Sequence, residues 1–388
     1  MAGRTALAGR FLFVAGTRPE AVKLAPIILE MAGRGVMPVL VATGQQREML
    51  AAALAGFGLV PDLDLAVMQP GQQPDQVVGR LVPRLAGLFR RLRPAAVVVQ
   101  GDTASAFAGA TAAFYARLPL AHVEAGLRSG ADEPHPEEQH RRLIAQLCDL
   151  HFAPTAAAAA ALRAEGIAAA AIHVTGNTGI DALLATSRRL AACGHRPAAL
   201  PAALGSGGRP LLLVTIHRRE NHGAPLDRVL SALQVLAADA DICIPVHPSP
   251  VVAGQVRMAL AGHSGVTLLP PLDYADFIWL LGQARLVLTD SGGVQEEAPA
   301  LGVPVLVLRD VTERREGLIS GNARIVGTDA AAIIAAVRGL LDDGRARAAM
   351  AQPAHPYGDG LAASRIADLL LARWGVSGAG RPASPSSL

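Results

Sequence analysis

The feature that most constrains this chain is a rhythm. Short apolar runs without polar alternation recur between longer stretches of helical spacing. The runs are FLFVA (11–15), PVLVAT (38–43), AVVVQ (96–100), PLAHVE (119–124), LHFAP (150–154) and IHVTG (172–176). Helical patterns lie between them, for example at 18–33, 45–56, 103–116 and 137–148. A half-exposed strand alternates apolar and polar residues. An unbroken β-branched or Leu-rich run reads instead as a parallel strand covered on both faces. Strand–helix alternation of this kind predicts a doubly wound α/β sheet.

The rhythm breaks at 193–210, CGHRPAALPAALGSGGRP, a Gly- and Pro-rich stretch read as a linker or long loop. It resumes with LLLVTI (211–216), DICIPVH (241–247), GVTLLP (265–270), RLVLTD (285–290) and PVLVLRD (304–310). Two such sheets in tandem predict two domains with a central cleft, and ligand groups at the carboxyl ends of the strands. Residues 376–388, rich in Gly, Ser and Pro, read as a disordered tail.

Composition narrows the function classes. Of 388 residues, 51% are hydrophobic and 17% charged, which excludes disorder over most of the length. Aromatic residues are 3%, too few to build a stacking platform for single strands, and the net charge of +3 is not a nucleic-acid footprint. No run approaches the ~20 apolar residues of a membrane span. Cys148, Cys193 and Cys243 are widely spaced, so neither a disulfide framework nor a zinc site is expected, and a reducing, cytoplasmic compartment fits. Lys23 is the single lysine among 35 basic residues. Lysine and arginine differ in shape and hydration, so its place inside a motif matters.

That motif is GTRPEAVK (16–23), where the first strand turns into a helix. Pro19 suits a first helical turn, and backbone N–H groups there favour an anion, with Arg18 and Lys23 adding charge. The spacing fits neither GxGxxG nor GxxxxGK[ST], so no nucleotide cofactor or triphosphate hydrolysis is indicated, and no metal cluster is present. A second anion site follows RLVLTD. Ser291, Gly292 and Gly293 open a helix at about Val294, with Glu297 placed to chelate ribose hydroxyls. Carboxylates stand at the ends of apolar strands: Asp102 in QGDT, Glu124 in HVEAGLRSG, and Glu137 with Glu138 in PHPEEQHRR. Such charges are costly unless functional or paired, here with Arg128, Arg141 or Arg142. Both alternatives stand on sequence alone. His217, in HRREN after LLLVTI, is placed to meet a phosphate or move a proton.

Taken in order, GTRPEAVK, QREML, QGDT, HVEAGLRSG, PEE, TGNTGIDAL, HRREN, TDSGGVQEEAPALG, TERRE and HPYGDG resemble the bacterial non-hydrolysing UDP-N-acetylglucosamine 2-epimerase family from about Phe11 to Trp374. The resemblance implies two Rossmann-like domains, similar to type B glycosyltransferases, residues 1–178 and 179–360. A C-terminal helix at about 361–375 would pack back on the first domain. It implies C2 epimerisation of UDP-N-acetylglucosamine through 2-acetamidoglucal, supplying cell-surface polysaccharide synthesis, without a cofactor and as a homodimer. It assigns Asp102, Glu124, Glu137 and His217 to catalysis. Substrate binding falls to Arg18, Lys23, Phe277, Ser291, Gly292, Gly293, Glu297 and Arg314. A second UDP-N-acetylglucosamine, acting as allosteric activator, would meet Gln45, Glu138, Arg218 and His247. The chain departs from the family pattern at Gln46, at His140 (usually Asn), at Ser249 and at Arg315 (usually Pro). The rival readings are a UDP-sugar glycosyltransferase of the same fold and a non-catalytic sugar-nucleotide sensor.

Overall fold

The computed structural model describes residues 9–375, except 70, 131–133, 199, 202–203, 205–207, 248 and 353–354. The tail expected at 376–388 lies outside the described residues. Two compact units emerge. The first runs to Thr178 and takes the chain back from Leu361; the second is Gly179–Gly360.

The first unit holds seven strands: β1 (Phe11–Ala15), β2 (Val39–Ala42), β3 (Leu63–Asp64), β4 (Ala96–Gln100), β5 (Leu120–Val123), β6 (Leu150–Ala153) and β7 (Ile172–Val174). All pairings are parallel, in the order β3-β2-β1-β4-β5-β6-β7. The second holds β8 (Leu211–Thr215), β9 (Asp241–Pro245), β10 (Val266–Leu269), β11 (Leu286–Thr289), β12 (Val305–Val307) and β13 (Ala323–Ile325), ordered β10-β9-β8-β11-β12-β13 and again parallel. Both are doubly wound sheets, as the rhythm predicts. The strands missed were β3 and β13, of two and three residues, too short to carry a pattern.

The unbroken apolar runs have the meaning expected of them. Along β1, Phe11, Phe13 and Ala15 enter one core while Leu12 and Val14 enter another. Along β8, Leu212 and Val214 face one core, and Leu211 and Leu213 the other. These two central strands are thus covered on both faces. The helix Ala362–Trp374 belongs to the first of these cores, contributing Ala363, Ile366, Ala367 and Leu370. Arg34 fastens it by donating to Asp368 at 2.5 Å and to the Ser364 hydroxyl at 2.8 Å. The stretch 193–210 falls inside the second unit and is therefore not the linker between the two. Leu200 and Leu204 are buried in the second unit's core, and Arg196 lies over the Trp279 ring at 5.4 Å.

Sheet order fixes where chemistry can gather. In each sheet the strand order reverses direction at one point, between β1 and β4 and between β8 and β11. Crossovers diverge there to opposite faces and leave a crevice at the strands' carboxyl ends.

Candidate active site

In the first unit, Gly16 and Thr17 leave β1, and Gly101 and Asp102 leave β4, on either side of the reversal. A Cβ at Gly16 would overlap the hydroxyls of Thr43 and Ser105, so glycine is required by close approach. The helix Arg18–Gly33 follows, with Thr17 as its N-cap.

The anion site expected at this helix start is already filled. The Glu20 carboxylate accepts from the Gly16 amide at 2.8 Å, the Thr17 amide at 2.7 Å, the Thr17 hydroxyl at 2.9 Å and the Thr103 hydroxyl at 2.7 Å. Glu20 is fully buried. Burial raises its pKa against the lowering effect of these donors. The amides that were to meet a phosphate meet the chain's own carboxylate. The T-x-x-E spacing of Thr17 and Glu20, a capping-box signature, was the readable signal. Arg18 is exposed, and its amide donates to Gln46 Oε1 at 3.3 Å.

Lys23 has a neighbour that the sequence reading did not foresee: its ammonium donates to Glu124 Oε1. Glu124 follows β5 with φ of 61°, left-handed backbone that a glutamate rarely adopts and that concentrates at functional sites. Its other oxygen accepts from Gln100 Nε2, and Asn177 Nδ2 donates to Oε1 at 3.2 Å.

Asp102 is gripped twice by consecutive residues. Arg141 donates to its carboxylate from Nε at 3.0 Å and from Nη2, while the His140 ring donates from Nδ1 to its carbonyl at 2.9 Å. His140 stacks on Phe107 with ring centroids 4.7 Å apart, which fixes the imidazole plane. Burial raises the Asp102 pKa, Arg141 opposes it, and the Glu124 charge adds to the rise. A carboxylate raised toward working pH is a better proton acceptor.

Glu137 and Glu138 begin the helix Glu137–Leu147. Glu137 is half-buried. Glu138, expected at an activator, has no exposed surface, and its carboxylate accepts from the Ser129 amide at 3.1 Å, Arg141 at 3.0 Å and Arg142 at 3.2 Å. It orients Arg141, which holds Asp102. Arg128 pairs with Glu165 at 2.6 Å instead of with any of these groups. Gln45 accepts from the Ser105 hydroxyl at 2.7 Å.

In the second unit the two sides of the reversal are tied by Asp290, which sequence reasoning passed over. Asp290 follows β11, is fully buried, and accepts from the amides of His217 at 3.1 Å and Arg218 at 2.9 Å beyond β8. It also lies 3.1 Å from His217 Nδ1 and accepts from Asn221 at 3.0 Å. Burial works against its ionisation, yet His217, Arg218 and Asn221 hold its pKa below the ordinary value. An isolated carboxylate at the end of an apolar strand was the signal, the same one that marked Asp102. The His217 ring stacks on exposed His247, centroids 5.7 Å apart.

Ser291 is the N-cap of the helix Gly292–Ala300, which starts two residues before the expected Val294. The first amides of a helix have no intrahelical acceptor. Above them lie two guanidiniums: a Cβ on Gly292 would come within 3.3 Å of Arg314 Cζ and 3.5 Å of Arg218 Nη2. Arg314 donates to Glu296 at 2.6 Å and to Glu313 at 3.0 Å. Glu297 is half-buried and its charge reaches the Tyr274 phenol, whose pKa burial raises well above the ordinary value. Phe277 packs at the edge of the core from the helix Tyr274–Gln283.

Comparison with known proteins agrees over nearly the whole chain. A family model described as UDP-N-acetylglucosamine 2-epimerase matches residues 30–371. The chain is similar to UDP-N-acetylglucosamine 2-epimerase from Escherichia coli strain K12, 42% identical over 368 residues, 93% of this chain and 98% of that protein. It is 41% identical over 371 residues to the enzyme of the same description from Bacillus subtilis strain 168, with 94% and 96% covered. Among solved structures, UDP-GlcNAc 2-epimerase from Neisseria meningitidis bound to UDP-GlcNAc aligns with a TM-score of 0.85 at 36% identity, over 94% of this chain and 100% of that one.

Proposed function

Because the chain belongs to the UDP-N-acetylglucosamine 2-epimerase family, we propose that it interconverts UDP-N-acetylglucosamine and UDP-N-acetylmannosamine by eliminating and re-adding UDP. The C2 proton of the sugar has no carbonyl beside it and is barely acidic. Departure of UDP breaks the C1–O bond, takes the electron pair with it, and builds positive charge at C1. A carboxylate then removes the C2 proton and a C1–C2 double bond forms, leaving 2-acetamidoglucal. Return of a proton to the opposite face, with UDP re-adding at C1, gives the epimer. Two faces require two proton carriers.

The observation that carries this reading is the pairing of Asp102 and Glu124 at the carboxyl ends of adjacent strands β4 and β5, each held by its own cation, Arg141 or Lys23. Their partners differ, which supports separate roles on the two faces of the sugar. Asp102, Glu124 and Glu137 are assigned to the sugar. Ser291, Gly292, Gly293, Glu297, Phe277 and Arg314 are assigned to the nucleotide, with Arg18 contributing charge. His217, steadied by Asp290, stands by the phosphates. Lys23 is assigned to Glu124 in place of the diphosphate.

The proposal extends to a second UDP-N-acetylglucosamine as activator, through Gln45, Arg218 and His247, and to a homodimer working in the cytoplasm. The free cysteines fit a reducing compartment. Among the described residues no helix is long and apolar enough to cross a membrane.

The test is incubation with UDP-N-acetylglucosamine alone, followed by proton NMR of the anomeric region. Appearance of the manno epimer supports the proposal. Turnover that begins only when an acceptor sugar is added favours the glycosyltransferase, and binding without turnover favours the sensor.

A further inference from the structure

The loop after β12 carries a carboxylate, Glu313 of the TERRE motif, to which the proposed chemistry gives no role. Glu313 accepts from three arginines: Oε1 from Arg218 Nη2 at 3.3 Å and from Arg314 Nη1 at 3.0 Å, and Oε2 from Arg309 Nη1 at 2.8 Å. Arg309 is in turn held by Glu220 at 2.5 Å. Arg218 arrives from the end of β8 and Arg314 from the loop after β12, so the two guanidiniums have separate origins. They nevertheless converge on one spot above the Gly292 backbone, at the start of a helix.

We propose that Glu313 is a positioning residue of the nucleotide site, bridging Arg218 and Arg314 into a preformed two-guanidinium clamp for a diphosphate over the Gly292 helix start. The inference rests on the reading of that helix start as the UDP site.

Two guanidiniums brought together repel, and each side chain carries a large rotamer entropy. Without a counter-ion they would part. Glu313 supplies that counter-ion in the resting protein and leaves the donors assembled for an anion, so binding does not have to gather them. Burial disfavours its charge, but Arg314 and Arg309 hold the Glu313 carboxyl down at about 2, so the bridge persists at any working pH. Simple charge counting gives the opposite expectation, since deleting an acid beside an anion site should tighten binding. Glu313 is partly exposed, so its repulsion is screened and worth about twofold in affinity. An arginine already in place is worth about tenfold or more.

Calorimetric titration of UDP decides between these outcomes. The wild type is compared with Glu313→Gln, with Glu313→Asp, which keeps the charge but shortens the reach, and with Asp310→Asn, which removes an exposed acid from the same loop. Uridine, which has no phosphate, is measured alongside by saturation-transfer NMR. Both Glu313 variants are expected to bind UDP about tenfold more weakly with uridine unchanged, and Asp310→Asn to bind UDP no more weakly than wild type. Glu313→Gln combined with Arg314→Ala should be no weaker than Arg314→Ala alone. UDP affinity kept or tightened in the Glu313 variants would overturn the inference. So would a parallel loss for uridine, or losses that add in the double variant. Wild-type protein without UDP affinity would overturn the nucleotide-site reading itself, whereas tight wild-type binding with undisturbed variants removes this inference alone.

Discussion

Lys23, the chain's single lysine, is ion-paired with Glu124, whose own backbone is held in the left-handed region at φ 61°. The strained conformation aims the carboxylate, and the ammonium holds it in place. Lys23→Met is therefore expected to lower kcat by about 10²-fold, the scale of general acid–base catalysis, while UDP affinity stays near wild type. Lys23→Arg keeps the charge but not the point-like ammonium, and should recover part of the rate. Steady-state kinetics beside a UDP titration measures these effects. A variant that lost UDP binding at unchanged kcat would return Lys23 to the diphosphate.

Asp102→Asn, Glu124→Gln and Glu137→Gln should each reduce turnover by about 10²-fold or more. UDP binding should weaken far less, since these groups are assigned to the sugar. Normal turnover in all three would mean that the proton carriers lie elsewhere.

Turnover in heavy water should place deuterium at C2 of both sugars, because elimination hands the C2 proton to a carboxylate that exchanges with solvent. Mass spectrometry of the sugar pool reads the label. Epimer formed with protium retained at C2 would exclude the elimination route.

Glu20→Ala should destabilise the first unit by about 2–4 kcal/mol, because four donors, three of them buried, lose their acceptor at once. Since Thr103 follows Asp102 and donates to Glu20, activity should fall with stability. Thermal unfolding followed by circular dichroism is the measurement, and an unshifted midpoint would contradict the role given to Glu20.

His122 and His151 sit opposite one another on β5 and β6 and are fully buried. Burial lowers them to about 3 and about 4, against an ordinary value of 6.5. Between pH 6.5 and about 4 the unfolded chain therefore binds protons that the folded chain refuses. Stability must fall as pH falls through that window, by up to about 1.4 kcal/mol per unit for each histidine. His151→Leu should flatten the slope. Melting midpoints at pH 7 and pH 5 test it, and equal slopes for variant and wild type would refute it.

The sheets were legible because burial on both faces leaves unbroken apolar runs, a signal local to each strand. Positions of charged groups at strand ends were legible for the same reason, which is how Asp102, Glu124 and His217 were singled out. What the sequence did not disclose was partnership. Whether the helix-start amides of Gly16 and Thr17 await a ligand or Glu20 depends on a rotamer. Whether Lys23 reaches outward or toward Glu124, 101 residues away, depends on how two loops meet. Glu138 shows the limit most clearly: it adjoins Glu137 in sequence, but one helical step turns it from partly exposed to buried.

The helix Ala362–Trp374 closes a core begun at Phe11, yet it leaves the ribosome after the whole second unit. During synthesis, the face of the first sheet that will receive Ile366 and Leu370 must wait with its apolar surface open while some 180 further residues are made. The second unit, Gly179–Gly360, has no such dependency and is free to fold as it emerges. Order of completion is thus the reverse of order of synthesis, and a chain stopped near residue 360 would carry a finished second unit beside a first that cannot close.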